Sequence, residues 1–281
     1  MRSSSTIKYG LFAVIGVVIA SLACTSNVTL VATPTPEPTA SLRPSVTSVP
    51  PSTMVYRELN MASPGVVPHW DIHLTPSPIL AAWGPGIVYS RLLRFRSGSS
   101  VPVPNTATEC DLCASWEQVD STTYIFRLRN DVRWQDIPPV SGRRLIAEDV
   151  VFSYRRQGNP SYPNAPLLEN LKSIEAQDEE TLIIVLETPS ADFLTGLASG
   201  FSKIVAPEAV MINGHLQDGP IIGSGPWLWD DTRDHMRYFF NANPDYYEYG
   251  LPYVDRLNIH VIEDQQTRRV AFLLKKLDII E

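Results

Sequence analysis

His69, Asp71 and His73 alternate along one short stretch, and imidazole with carboxylate is a donor set that suits zinc or nickel. In extended backbone the three share a face, but neighbours along it lie about 6.6 Å apart, too far to converge on one ion without a bend. A curled loop would allow it. Packing and hydrogen bonding are the simpler role for both histidines, and no metal is assigned. Cys110 and Cys113 form a lone C-x-x-C. In a reducing compartment that spacing serves a redox pair or half of a zinc site. With no second pair, and with an export segment at the N-terminus, the reading is a short-loop disulfide. Gly223 and Gly225 flank Ser224 ahead of Pro226 and Trp227, a pattern that lets a backbone or a ligand approach closely. No G-x-S-x-G, H-E-x-x-H or P-loop occurs, and no spacing of serine, histidine and aspartate singles out a triad. The chain is therefore read as a non-enzyme, with no cofactor.

The formal charge of −7 and the absence of a basic stripe argue against nucleic acid as a partner. At 281 residues, 44% hydrophobic and 19% charged, the composition is globular, with room for one large or two medium domains. Arg2 and Lys8 flank the start of an apolar run, Leu11 to Ala20, too short for a comfortable membrane span. It ends in Ser21-Leu22-Ala23-Cys24. This is similar to a bacterial lipoprotein signal, with Cys24 as the lipidated residue, although Ser21 stands where leucine is usual. A plain secretory signal or an uncleaved anchor would export the chain equally. Residues 24–53 are rich in Thr, Ser and Pro and read as a disordered tether.

The fold is expected from Met54 onward. Met54 to Leu59 reads as a strand, followed by a proline-blocked loop to Pro78. Ala81 opens a helix that leads into Val88–Phe95. Tyr124, Phe126, Leu128, Val132 and Trp134 alternate with charged residues, a strand with one apolar face. After Pro138 and Pro139 the period changes, and Ala147 to Arg156 reads as an amphipathic helix with acidic residues first and basic residues last. Ser173–Ala176 and Thr181–Leu186 read as paired strands and Ala191–Ala198 as a short helix. Tyr238–Asn241 and Leu257–Ile262 read as strands. Asp264 to Leu277 reads as a helix whose apolar face is Val270, Leu273, Leu274 and Leu277.

Several of these stretches resemble one family, the extracytoplasmic solute-binding proteins of peptide-type ABC importers, family 5. The resemblance rests on Tyr124, Phe126, Leu128, Arg129, Val132 and Trp134, then Ala147 through Ser153. It continues at Leu112, Ser115, Trp116 and Asp120, at Ile204 through Glu208, which resembles a strand end of the family, at Gly223 through Trp227, and at Asn243 through Tyr247. Ile146 replaces the usual helix-capping threonine, so that cap is lost or passes to another group.

The resemblance implies an α/β, periplasmic-binding-protein-like fold of type II, in the peptide-binding cluster. Residues 54–96 and 196–281 would form a first lobe with a mixed sheet, and residues 97–195 an inserted subdomain. It places the chain's end near the crossing to a second lobe, which would be missing, leaving an unpaired sheet edge and little affinity in this chain alone. The implied partners are a peptide or similar small solute, ABC permease subunits, and the membrane through the lipid anchor. The cleft residues it points to are Trp83, Ser224, Gly225 and Trp227, with His69 and His73 behind them. A ligand-presenting sensor or chaperone of the same fold, and nickel or metal-chelate binding, remain as alternatives.

Overall fold

The computed structural model describes residues 57–230 and 236–280, all within the compact unit Thr53–Glu281. The export segment, Cys24, the tether and the expected start of the first strand lie outside the described residues. The first half contains β1 (Glu58–Ser63), α1 (Pro78–Trp83), a 3-10 turn (Pro85–Val88), β2 (Leu93–Phe95), β3 (Thr108–Cys110), β4 (Cys113–Gln118), β5 (Thr123–Leu128) and α2 (Ala147–Gln157). A second 3-10 turn (Ala165–Leu168), β6 (Leu171–Ala176), β7 (Thr181–Leu186), α3 (Phe193–Ala198) and α4 (Pro207–Asn213) follow. The chain then forms β8 (Trp227–Asp230), β9 (Arg237–Ala242), β10 (Arg256–Val261) and α5 (Gln265–Leu273).

Two four-stranded sheets carry the architecture. The first, ordered β1-β10-β9-β8, is mixed: β1 runs parallel to β10, and the other pairings are antiparallel. Leu257, Ile259 and Val261 of β10 are buried beside Tyr238 and Phe240 of β9, as the period of two requires for a sheet with one covered face. The second sheet, ordered β4-β5-β7-β6, is wholly antiparallel. Tyr124, Phe126 and Leu128 point inward from β5, and the row continues past the strand's end through buried Val132 and Trp134. Separately, β2 and β3 make a short antiparallel ribbon. A disulfide joins Cys110 to Cys113, with Cα atoms 5.0 Å apart, and closes the corner from β3 into β4.

Helix α2 begins without a side-chain cap from Ile146. Asp149, three residues inside, supplies the reciprocal contact instead, accepting the Ile146 N–H at 3.0 Å. The same carboxylate receives two hydrogen bonds from Arg143, at 2.8 and 2.7 Å, and one from the Trp134 indole at 3.1 Å. Arg143 in turn reaches Glu208 on α4. One buried aspartate thus binds the end of the β5 segment, the turn after it, and the start of α2.

Three expectations need correction. The last helix stops at Leu273, and Lys275 turns to a positive φ of 56°. Of its expected apolar face only Leu277, beyond the helix, is buried; Val270, Leu273 and Leu274 are exposed by 54%, 77% and 66%. Helix α5 is held instead by Arg268, whose guanidinium donates to the carbonyls of Ile262 and Glu263. Residues 204–206 are fully buried but form no strand. Only a single bridge, Arg91 with Lys203, precedes them, because Pro207 starts α4 at once. The outer edge of β1 is not bare: Asp278 and Ile279 both donate to Asn60 O, and Ile279 bridges Met61 in parallel.

The Asp149 junction has a measurable consequence. Asp149→Ala takes from Arg143 one of its two carboxylate partners, leaves the Trp134 N–H without its acceptor and frees the Ile146 N–H at the start of α2, so a loss of roughly 3 kcal/mol is expected in denaturant unfolding. Asp149→Asn retains acceptor capacity and is expected to lose less. A loss below about 1 kcal/mol for the alanine variant would show that the junction is not stabilising.

Candidate functional site: a pinned loop, a glycine clasp and two hollows

The loop leaving β1 is irregular, so its backbone groups need partners elsewhere. Val67 N–H donates to the Tyr238 hydroxyl at 3.0 Å and Trp70 N–H to Gln217 O at 3.1 Å. Asp71 is the main anchor. Fully buried, it accepts from both terminal nitrogens of Arg156 at 2.9 and 2.5 Å, from Leu216 N at 2.8 Å and from His73 N at 3.1 Å. Burial pushes its carboxyl up, but Arg156 and the Leu216 N–H outweigh that and hold it below the ordinary aspartate value. His73 is pushed down to about 4 by burial and by the Arg156 charge. It is therefore neutral near pH 7, and its Nε2–H donates to Lys203 O at 2.9 Å. His69 Nδ1 accepts the Asp71 N–H at 3.2 Å. The alternating triplet is thus engaged in fixing the loop. Among the described residues, no group of three or more His, Cys, Asp and Glu is arranged to hold a metal ion.

The two glycines of the Gly223–Trp227 loop clasp a carbonyl. A Cβ at Gly223 would lie 2.0 Å from Val88 O, and one at Gly225 would lie 2.6 Å from it. Gly225 N–H donates to that oxygen at 2.9 Å. Gln135 N–H donates to Gly223 O at 3.0 Å, and its side-chain amide donates to Trp227 O at 2.8 Å. Asn243 closes the other side, donating to Gly225 O at 2.9 Å and Pro226 O at 2.8 Å. Ser224 and Gly225 are buried in this clasp. The neighbour that approaches the glycines is Val88, not a ligand.

Trp227 leaves the clasp to wall a cavity of about 350 Å³, together with Ala81, Ala82 and Ile87. Trp83, half-buried, ends α1 one residue beyond Ala82. The polar side of the cavity holds Arg91, Asp111 and Lys203. Asp111 stands on the disulfide-closed corner and accepts from Arg91 N at 2.9 Å and the Tyr247 hydroxyl at 2.5 Å. Arg94 is shared between Glu109 at 2.9 Å and Glu248 at 2.7 Å. Lys203 is buried, and burial followed by the Arg91 charge, partly offset by Asp111, pushes its amine down to about 7. A second hollow of about 160 Å³ lies against Trp70 and Trp229, whose rings are 5.4 Å apart, with Ile137, Pro220 and Ile221.

Of the residues singled out from sequence, Trp227 walls the larger of these two hollows, while Ser224 and Gly225 support it from behind. His73 joins the same neighbourhood only through the Lys203 backbone, and His69 belongs to the pinned loop. Arg91, Asp111 and Lys203 were missed. Lys203 did leave a signal: it is a single cation inside the otherwise uncharged run Phe201–Ala206.

Burial of neutral His73 makes stability depend on pH. Between about 4, its folded value, and 6.5, its ordinary one, the unfolded chain binds more protons, so stability is expected to fall as pH drops through that window. His260 shifts in the same sense. The informative comparison is therefore with His73→Gln, which keeps a donor for Lys203 O and does not titrate. Its denaturation midpoint should fall less steeply with acid; equal slopes would exclude His73 as the source.

Comparison with known proteins agrees with this architecture. The family model for bacterial extracellular solute-binding proteins, family 5 Middle, matches residues 102–281. Di/tripeptide-binding protein 4 of Pseudomonas aeruginosa is 32% identical over 201 residues, 64% of this chain and 36% of that protein. Heme-binding protein A of Haemophilus influenzae is 30% identical over 213 residues, 69% of this chain and 38% of that protein. The chain thus spans little more than a third of these relatives. The solved structure of MoaA from A. tumefaciens R10 with mannopinic acid superposes with a TM-score of 0.68 at 26% identity, covering 80% of this chain and 45% of that one. The fold is the α/β, type II periplasmic-binding-protein architecture of the peptide-binding cluster. With nearly two thirds of its length under the family model and both sheets in the corresponding fold, the chain belongs to the bacterial extracellular solute-binding proteins, family 5.

Proposed function

We propose that this chain takes part in capturing short peptides, or small solutes of similar size, outside the membrane for delivery to an ABC importer. The bound solute leaves chemically unchanged. The observation that carries the reading is the pair of hollows walled by Trp227, Trp70 and Trp229, set in the framework of a solute-binding family. Apolar walls with a few placed polar groups are what small-solute sites use. In such a protein the described unit supplies one wall, and a second lobe closing over the solute about a hinge would supply the other.

Relatives differ in what their names say they bind, namely di- and tripeptides, haem and mannopinic acid. The test therefore uses a panel: a dipeptide, a tripeptide, haem, mannopinic acid and a nickel–histidine complex. Titrations are followed by tryptophan fluorescence, because three indoles stand at the two hollows. A saturable but weak change with a peptide, near millimolar because this unit supplies one wall, is the expected result. A change confined to haem or to nickel–histidine would replace peptide as the solute class. No saturable change with any member up to millimolar concentration would sink the reading.

Export and anchoring belong to the same proposal, with Cys24 as the lipidated residue and residues 24–53 as the tether. In a bacterial host fed labelled palmitate, the full chain is expected to carry label and to sediment with membranes. Cys24→Ser should lose both properties. Label retained in the variant would show that Cys24 is not the anchor.

A further inference from the structure

We propose that the cavity beside Lys203 is a carboxylate subsite, holding the acid end of a small solute whose apolar part rests on Ile87 and Trp227. The starting point is an imbalance among buried charges. Asp71 is matched by Arg156, Asp149 by Arg143, and Asp111 by the Arg91 N–H and the Tyr247 hydroxyl. Lys203, only 6% exposed, has a single hydrogen-bond acceptor among the described residues, Tyr89 O at 3.1 Å. An ammonium carries three donors, so two are left over. A buried ammonium short of acceptors is costly, and it borders a cavity of about 350 Å³.

The neighbouring charges set the sign of the occupant. Arg94 is satisfied by Glu109 and Glu248. Arg91 gives one terminal nitrogen to Ala198 O, and its Nε stays 3.9 Å from Asp111. Arg91 and Lys203 therefore face the cavity against one carboxylate, Asp111. A cationic group would be repelled there. An entering carboxylate supplies two acceptor oxygens and forms the stronger, charge-assisted kind of hydrogen bond. The lining also includes apolar Ala81, Ala82, Ile87 and Trp227, which a bare inorganic anion would leave unused. Two sources present such a group: the C-terminus of a short peptide and a free organic acid. The inference deepens the solute-capture reading, and rests on it for the kind of solute involved.

The test follows Lys203 itself. The sequence has five lysines, Lys8, Lys172, Lys203, Lys275 and Lys276, so lysine labelled with carbon-13 at Cε gives a simple spectrum. Lys203→Met assigns the Lys203 signal. If that variant does not fold, arginine at Lys8, Lys172, Lys275 and Lys276 assigns it by elimination. The probes are L-alanyl-L-leucine, its C-terminal amide, and isovalerate. The expected result is a saturable shift of the Lys203 signal with the dipeptide, and binding of the amide roughly ten-fold weaker. Lys203→Met should lose a similar factor for the acid and nothing for the amide. Isovalerate binding as tightly as the dipeptide assigns the subsite to free acids; weaker binding assigns it to the peptide terminus. Acid and amide binding alike, with the Lys203 signal unmoved, would overturn the subsite and leave peptide capture standing. Isovalerate moving Lys203 while no peptide binds would support the subsite and count against peptide capture.

Discussion

A carboxylate with no exposure to solvent survives in a protein only where a cation and hydrogen bonds replace its water, and helix α2 is held at both ends by such an arrangement. At its start Asp149 takes Arg143, the Trp134 indole and the Ile146 N–H. At its end Arg156 enters the loop after β1 and takes Asp71, which also binds Leu216 N. The two pairs bring three things to one helix: the antiparallel sheet through Trp134, the exit of the mixed sheet through Asp71, and the segment around Leu216. Removing Arg143 or Arg156 strands a buried carboxylate, so these contacts specify how the pieces fit rather than adding surplus stability. The loop after β1 has no regular structure of its own. Its shape near Trp70 is inherited from Asp71.

The glycine clasp applies the same logic without charge. Val88 O is approached so closely by Gly223 and Gly225 that a side chain at either position would collide with it. Gln135 and Asn243 then close the loop from opposite sides. Gln135 follows Trp134, and Asn243 opens the Asn-Pro-Asp-Tyr-Tyr run, so motifs far apart in sequence converge on one turn. Tyr247 of that run extends the network to Asp111, on the corner closed by the Cys110–Cys113 disulfide. The wall carrying Trp227 is therefore set by packed backbone and by side chains that already have partners. A solute meeting it would not first have to order it, which lowers the cost of binding.

Much of this was legible in the sequence because burial follows period. The row Tyr124, Phe126, Leu128, Val132 and Trp134 is buried throughout, although only its first part is strand. Helix α2, the β6–β7 hairpin and β10 stand where periodicity placed them. Other expectations failed for physical reasons. Periodicity cannot tell whether a neighbour is present to cover a face, so Val270, Leu273 and Leu274 have the spacing of an apolar helix face yet stand exposed. Apolar residues 204–206 are as buried as any strand, yet past Ile204 the backbone of Val205 pairs with the Ser153 hydroxyl and Pro207 begins a helix. The glycine pair announced a close approach correctly, but composition cannot say what approaches. Arg91, Asp111 and Lys203 lie far apart in sequence, and only the fold shows that they share one cavity.

That cavity differs from the rest of the interior in its electrostatics. Asp71, Asp111 and Asp149 are each part of a completed set, and adding a ligand to a completed set displaces a partner for little gain. Lys203 is the exception: its ammonium has one carbonyl and an open space beside it. Burial alone would favour the neutral amine, and at a value of about 7 the proton is balanced between staying and leaving. An arriving carboxylate tips that balance toward the charged form and gains a charge-assisted bond in a poorly solvated place, where such bonds are strongest. The same substitution of partners at Asp71 or Asp149 would gain nothing. Incomplete pairing, more than cavity size, is therefore what marks this hollow as the place where the fold has binding energy left to offer.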